Sequence, residues 1–366
     1  MDLMSFLGQY LPQSNTVTPA KRAALQIIYE TKDISTDIAE HLVSASMKDA
    51  ISGEADTLDI TLEDRPNLWA NDWLPTKGAQ IKASLLLTAW WSNETETVRI
   101  PLGTFYIDDI GLSGGGNTTS SVELNTVSVP DGVVRDIART RSWEKVQLKV
   151  VAQDVANSAG LGLHVDTDEN PTLDRVEQTD EADLAFLKRL CNDNGLCLKV
   201  ADKKIVIFDE AKYDEQESIA EIDKYSLLEL ESYEFHSKVQ EVYTACTVTY
   251  QKARDKSKIE ATFEAPKQSD SMPSATEKKV LRVNKEVPDI GAALRLAKKE
   301  LYNKNKEEIT GRLTLRGRPD LYAGACITLV NFGKFSGKYL ITEVSADISG
   351  NYVSELTLRR ALNGYT

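Results

Sequence analysis

Two blocks of period-two hydrophobicity, separated by a block of helical period, constrain this chain more than any other feature. In "TLDITLED" (57–64) Leu58, Ile60 and Leu62 fall on one face, the pattern of a half-buried strand. "LQIIY", "QIKASLLLTAWW", "TVRIPLGTFYIDDI" and "SSVELNTVSV" complete a strand-rich first block over residues 23–128. Short strands with turn signals between them, such as the Pro/Gly turn in "LPTKGAQ", suggest a sandwich or barrel.

The period changes over residues 129–210. "SWEKVQLKVVAQDVANSAG" sets Leu148, Val151, Ala152, Val155 and Ala159 on one helical face, with Gly160 as the stop. "LGLHV" reads as a strand. "QTDEADLAFLKRLCNDNG" places Leu184, Leu187, Leu190 and Cys191 on one stripe, with Thr179 or Asp180 as cap and Asn194-Gly195 as the end. "LCLKVADKKIVIFD" follows as a hairpin turning at Asp202-Lys203, so this block is a small α/β unit.

Residues 211–232 are acidic and read as a linker. From 233 to 366 strands return, interrupted by a helix at about 289–304. That helix starts after Pro288, with Asp289 as cap and Ile290, Leu294, Ala297 and Leu301 on one face. "KQSDSMPSATEKK" reads as an exposed polar excursion. Residues 1–22 read as an N-terminal arm with apolar anchors Met4, Leu7 and Leu11, or as a poorly ordered terminus. The plan is mainly β with an α/β insert, and the two β-rich blocks hint at a duplicated module. The hint is architectural, without a clean sequence repeat.

The 366 residues suffice for two or three domains, and 41% hydrophobic with 27% charged residues suits a chain that buries real cores. Lys and Arg number 43 against 56 Asp and Glu, a net charge of −13, which disfavours gripping nucleic acid or anionic membrane. No apolar run approaches the ~20 residues of a membrane span, and the start lacks the basic and apolar regions of a secretory signal. Cys191, Cys197, Cys246 and Cys326 form no C-x-x-C pair and read as buried free thiols in a reducing compartment.

Catalytic patterns are present but out of context. Gly111-Leu112-Ser113-Gly114-Gly115 spells the G-x-S-x-G of a nucleophile elbow, which needs a strand before the serine and a helix after it. Here "NTTSSVELNTVSV" follows, a strand pattern, and three consecutive glycines suit a hairpin tip better than a helix start. The stretch also mimics a transporter-ATPase signature, yet no phosphate-binding G-x-x-x-x-G-K-[ST] loop exists in the chain.

The chain has three histidines, His41, His164 and His236, and a triad of Ser113, an acid and then His164 or His236 rests on sequence order alone. Asp166, Asp168, Asn170, Asp174 and Glu177 occupy calcium-loop positions, but Pro171 stands where the sharp turn requires glycine. The pairs Trp69/Trp73 and Trp90/Trp91 lack the basic interleaving of a nucleic-acid platform and read as core or interface. Arg316 and Arg318 stand at a strand end, as interface charges or as a solvated turn. No catalytic, cofactor-binding or metal residue is assigned, no cofactor is expected, and the residues favour a non-catalytic assembly protein.

Several stretches, in order, resemble one family. "TLDITLEDRPNLWANDWLPTKGAQIKASL" followed by "LGTFYIDDI" resembles the first β module of phage late control gene D proteins. "TRSWEKVQLKVVAQDVANSAGLGLHV" and "NPTLDRVEQTDEADLAFLKRLCNDNGLCLKVADKKIVIFDE" are similar to its helical insert, and "LRGRPDLYAGACITLVNFGKFSGKYLITEVSADISGNYVSELTLRR" to its closing barrel. The family also resembles the hub half of VgrG-type proteins.

The resemblance implies two tail-tube-like β-barrel modules and a role as the baseplate hub of a contractile phage tail or a related injection particle. It further implies a homotrimer whose six modules form a pseudo-sixfold ring. That ring docks under the hexameric tail tube or its initiator and carries the trimeric spike. Tape measure and baseplate wedge proteins are further partners, and DNA is only passing cargo, for which an acidic lumen would be non-adhesive. The expected location is the virion or tail-like particle, assembled in the bacterial cytoplasm, with no membrane binding of its own. The chain stops just after the closing barrel, so spike and wall hydrolase are expected on separate chains. The alternatives are a serine- or carboxylate-dependent cell-wall hydrolase and a calcium-regulated adhesion module at 166–177.

Overall fold

The computed structural model describes residues 20–65, 67–90, 96–116, 118–130, 137–226, 229–238, 240–251, 258–267, 279–287, 289–349 and 352–365. The anchors Met4, Leu7 and Leu11, Trp91, Pro288 and most of the 267–279 excursion lie outside them.

The first block comprises β1 (Arg22–Tyr29), β2 (Lys32–Asp33), α1 (Ser35–His41), β3 (Leu42–Ala50), β4 (Thr57–Glu63), β5 (Gln80–Thr88), β6 (Thr97–Gly115) and β7 (Thr118–Val127). Leu58, Ile60 and Leu62 are buried, as their alternation requires, against Ile81, Leu85, Phe105, Ile107 and Leu124. Each such side chain contributes about 1.5–3 kcal/mol by leaving water.

The insert follows with β8 (Ala138–Gln147), α2 (Leu148–Ala159), β9 (Gly162–Asp166), β10 (Thr172–Ala182), α3 (Asp183–Asp193), β11 (Cys197–Ala201) and β12 (Lys204–Phe208). Val151, Val155, Phe186, Leu187, Ile205 and Ile207 form its core. Gly160 closes α2 in the left-handed conformation, and the β11–β12 turn has positive φ at Asp202 and Lys203. The cap expected at Thr179 or Asp180 is not used. The chain stays extended in β10 to Ala182, and α3 starts with no side-chain cap.

The last third holds α4 (Glu210–Asp214), β13 (Ser218–Asp223), β14 (Leu230–Ser237), β15 (Ala245–Gln251), β16 (Lys258–Glu264), β17 (Val280–Asn284), α5 (Ile290–Asn305), β18 (Ile309–Arg316), β19 (Cys326–Val330), β20 (Gly337–Asp347) and β21 (Val353–Arg360). Residues 211–232 are therefore not a linker. They carry part of α4 and all of β13, which pairs in parallel with β19. The expected single strand block also divides, because β15, β16 and β17 form a separate three-stranded sheet covered by α5. Asp289 caps α5 by accepting from the Ala292 N–H at 2.8 Å. Ala297 and Leu301 of the expected face are buried, joined by Ala293 and Tyr302, whereas Ile290 and Leu294 are exposed.

The two β blocks share one strand order. The first runs β3-β4-β7-β6-β5-β1 and the second β14-β18-β21-β20-β19-β13, taken in the same order along the chain. Bulges recur at matching places, between Ile107 and Asp109 in β6 and between Ile341 and Glu343 in β20. They recur again between Leu42 and Ser44 in β3 and between Leu230 and Ser232 in β14.

Register then exposes a repeat that reading the sequence alone missed. "TLEDRPNLW" (61–69) corresponds to "TLRGRPDLY" (314–322), "GAQI" (78–81) to "GACI" (324–327) and "GTFYIDDI" (103–110) to "GKYLITEV" (337–344). Gly78 and Gly324 both have positive φ, donate to Ile107 and Ile341 at 2.8 Å, and precede Ala79 and Ala325, whose carbonyls accept from those same isoleucines. The exception is the outermost pair, where β1 meets β5 antiparallel but β13 meets β19 parallel.

The blocks join edge to edge. Glu343–Asp347 of β20 pair antiparallel with Ser46–Ala50 of β3, making one 13-stranded sheet among the described residues. Ile51 N–H to Thr342 O (2.9 Å) and Ile348 N–H to Ala45 O (2.8 Å) close the ends of this seam.

Candidate assembly interface

The structure places Ser113 on the β6–β7 hairpin, exposed, with its hydroxyl 2.9 Å from that of Ser121 across the ladder. The element after it is β7, a strand, so the elbow geometry is not built. His236 lies on β14 beside Glu234 (2.9 Å), His164 is in the β9–β12 ladder, and His41 packs edge-on to Trp69 and Trp73. Ser113→Ala should change the stability of the single chain by less than about 0.5 kcal/mol, as expected of an exposed side chain with one weak partner inside the chain. A thermal melt checks this.

The acidic run at 166–177 is held by protein cations. Lys212 Nζ lies 3.3 Å from Asp168 and 4.0 Å from Asp166, and Lys299 Nζ lies 3.0 Å from Glu169. Asn170 bonds Gln147 and the Lys149 N–H, and Glu177 pairs with Arg175. Thr172 onward is strand, so the run does not close as a loop. Trp69 and Trp90 are buried, and Trp90 donates to the Gly317 carbonyl (3.1 Å), tying the two modules. Arg316 pairs with Glu231, and Arg318 with Asp320 and Glu229.

The buried polar residues act as joints. Arg359 on β21 is 1% exposed and reaches Glu210 Oε1 at 3.0 Å, Asp214 Oδ2 at 3.0 Å and the Tyr302 hydroxyl at 2.6 Å. Lys306 adds a contact to Glu210 at 2.6 Å. Burial alone would raise the Glu210 carboxyl, but Arg359 and Lys306 outweigh it and hold it at about 2. Glu210 and Asp214 stand four apart on α4, so both face the guanidinium.

A second joint links three parts. Lys199 of the insert contacts Asp49 (2.5 Å) and Asp56 (3.1 Å) of the first module, and Asp49 also accepts from the Ala323 N–H (2.9 Å) of the second. Beside it a 250 Å³ crevice, lined by Asp56, Leu102, Thr104, Ser128 and Asp202, separates the first module from the insert. Across it the Thr104 hydroxyl donates to Asp202 Oδ1 (3.1 Å) and the Ser128 hydroxyl to the Val200 carbonyl (2.9 Å). Leu112 on β6 and Tyr233 on β14 are exposed apolar side chains.

A family model described as phage tail baseplate hub (GPD) matches residues 134–352. The chain belongs to that family. A probable baseplate hub protein of Escherichia phage 186 is 25% identical over 187 residues, which are 50% of this chain and 44% of that protein. The match thus spans less than half the length of the curated relative.

The fold recurs among solved structures. The 43 kDa tail protein of prophage MuSo2 from Shewanella oneidensis superposes with a TM-score of 0.66 at 13% identity, over 93% of this chain and 98% of that one. A tail protein from Neisseria meningitidis MC58 gives 0.65 at 14% identity, over 92% and 96%. An Escherichia coli component of the type VI secretion system, described as structurally similar to T4 bacteriophage tail proteins, gives 0.55 at 13%, over 87% and 73%. These likenesses carry the fold, which in the hub is mainly β with small helical portions.

Proposed function

We propose that this hub works mechanically, as a homotrimeric ring joining a hexameric tail tube to a trimeric spike. The observation that carries the reading is the internal duplication. Two modules of one strand order, fused edge to edge in a single sheet, let three chains present six similar units. The insert, and the β15–β17 sheet with α5, occur once per chain and so supply the threefold features. Contacts between chains are heterologous, because a three-fold ring has no isologous pairing. The chain resides in the tail, and no step of its action requires a nucleophile, metal or cofactor. DNA is cargo that passes the ring.

The test is negative-stain imaging of the purified chain, alone and with its spike chain, with class averages viewed down the symmetry axis. A three-chain ring with a central channel and six-lobed outline is expected. Single particles under both conditions would overturn the reading.

A further inference from the structure

The shared strand order leaves two edges without the partner that their counterparts have. By register, the counterpart of Glu343–Asp347 in β20 is Asp109–Ser113 in β6, and the counterpart of Ser46–Ala50 in β3 is Glu234–Lys238. The first two segments are already sewn together within the chain. Along β6, β5 pairs only as far as Tyr106, and among the described residues no strand continues along that edge beside Asp109–Ser113. β14 pairs with β18 and, among the described residues, with no strand on its other edge.

We propose that these two edges pair with each other between copies of this chain. Asp109–Ser113 of one copy lies antiparallel to Glu234–Lys238 of the next, in the register of the seam between β20 and β3. This rests on the ring proposed above and names the surface that closes it.

Exposure supports the pairing. Ala346, inside the intrachain seam, is 2% exposed, whereas its counterpart Leu112 is 64% exposed. Ala45 in β3 is 1% exposed, and its counterpart Tyr233 is 46% exposed. An apolar side chain on an open strand edge is a template for another strand unless something covers it.

Complementarity supports the register. Carrying the intrachain pairs across sets Asp109 opposite Lys238 and Leu112 opposite Phe235, where the chain itself sets Ala346 opposite Met47. Ile110 then faces Ser237, Gly111 faces His236 and Ser113 faces Glu234. Opposite charges and apolar pairs directly across a ladder each stabilise it. A one-residue slip would set Leu112 against His236 or Glu234 and reverse the faces of the whole strand. Each copy offers one edge of each kind, so the contact is head-to-tail and closes when the last copy meets the first.

The test uses the full chain with cysteine pairs placed across the seam. Leu112→Cys with Phe235→Cys and Ser113→Cys with Glu234→Cys are neighbouring in-register pairs, so one of them occupies the closer, non-hydrogen-bonded site. Leu112→Cys with Ser232→Cys is the out-of-register control. Wild type supplies the background of the natural cysteines, of which Cys191, Cys246 and Cys326 are buried.

Mild oxidation, non-reducing gels and light scattering of the same samples are read together. At least one in-register pair should give a covalent ladder ending at three chains. It should hold roughly tenfold more cross-linked chain than the control, whose Cα separation is too long to bridge. A trimer by light scattering with no in-register cross-link, or with equal linkage in the control, overturns the seam and leaves the ring standing. A monomer at every concentration overturns both. Linkage that appears only to another tail protein assigns the edge to that protein and also overturns the proposal.

Discussion

Arg359→Ala should lower the stability of the hub by about 3–5 kcal/mol, because it strands two carboxylates in a buried joint. Glu210 and Asp214 are 5% and 0% exposed and share this one guanidinium, with Lys306 reaching only Glu210. Urea denaturation followed by fluorescence measures the loss. Arg359→Met combined with Glu210→Gln and Asp214→Asn should recover much of it, since a neutral joint carries no uncompensated charge.

The acid limb of stability should move as well. Glu210 titrates at about 2 in the folded chain against an ordinary 4.5, so its contribution is fully present above about pH 4.5 and disappears as pH falls toward 2. That window corresponds to on the order of 3 kcal/mol. In Arg359→Ala the carboxyl rises, and acid unfolding should begin at higher pH. An unchanged acid midpoint would show that Arg359 does not hold Glu210 ionised.

Ile107→Ala and Ile341→Ala should each cost about 2–5 kcal/mol, the range for deleting a buried aliphatic side chain. The two residues are 1% and 0% exposed, stand at equivalent places in the repeat, and belong to separate cores. Sharing no partners, they should add within about 0.5 kcal/mol in the double variant. A cost below about 1 kcal/mol at one site alone would mean that the modules match in strand order but not in packing.

Elements whose signal is local were legible in the sequence. The alternation at 57–63, the apolar faces of α2 and α3, the turn at Asp202-Lys203 and the Asp289 cap each depend on neighbours a few residues away. The hairpin at Ser113 is legible for the same reason, since strand follows strand.

What depends on distant partners was hidden. Acidic composition made 211–232 resemble a solvated linker, because Arg359 lies 145 residues beyond Asp214. Periodicity marked β15 as a strand without saying that it joins a different sheet from β14. The repeat escaped notice because two unequal insertions break its period. The offset between counterparts shrinks from 253 to 246 to 234 residues. A search for T-L-x-x-R-P-x-L followed by G-A-x-I would have found it without the structure. The seam edges are legible only after that repeat is aligned.

The seam between β20 and β3 also sets a schedule for synthesis. Ala50 leaves the ribosome nearly 300 residues before Glu343, its partner in the ladder. At 5–20 residues per second this is roughly 15–60 s during which the β3 edge stays unpaired beside the growing chain. Every nascent hub therefore spends that interval with a strand edge able to capture a neighbour on the same message. A cell making many hubs at once would gain from a chaperone that shields the early module, or from slow initiation that keeps ribosomes apart.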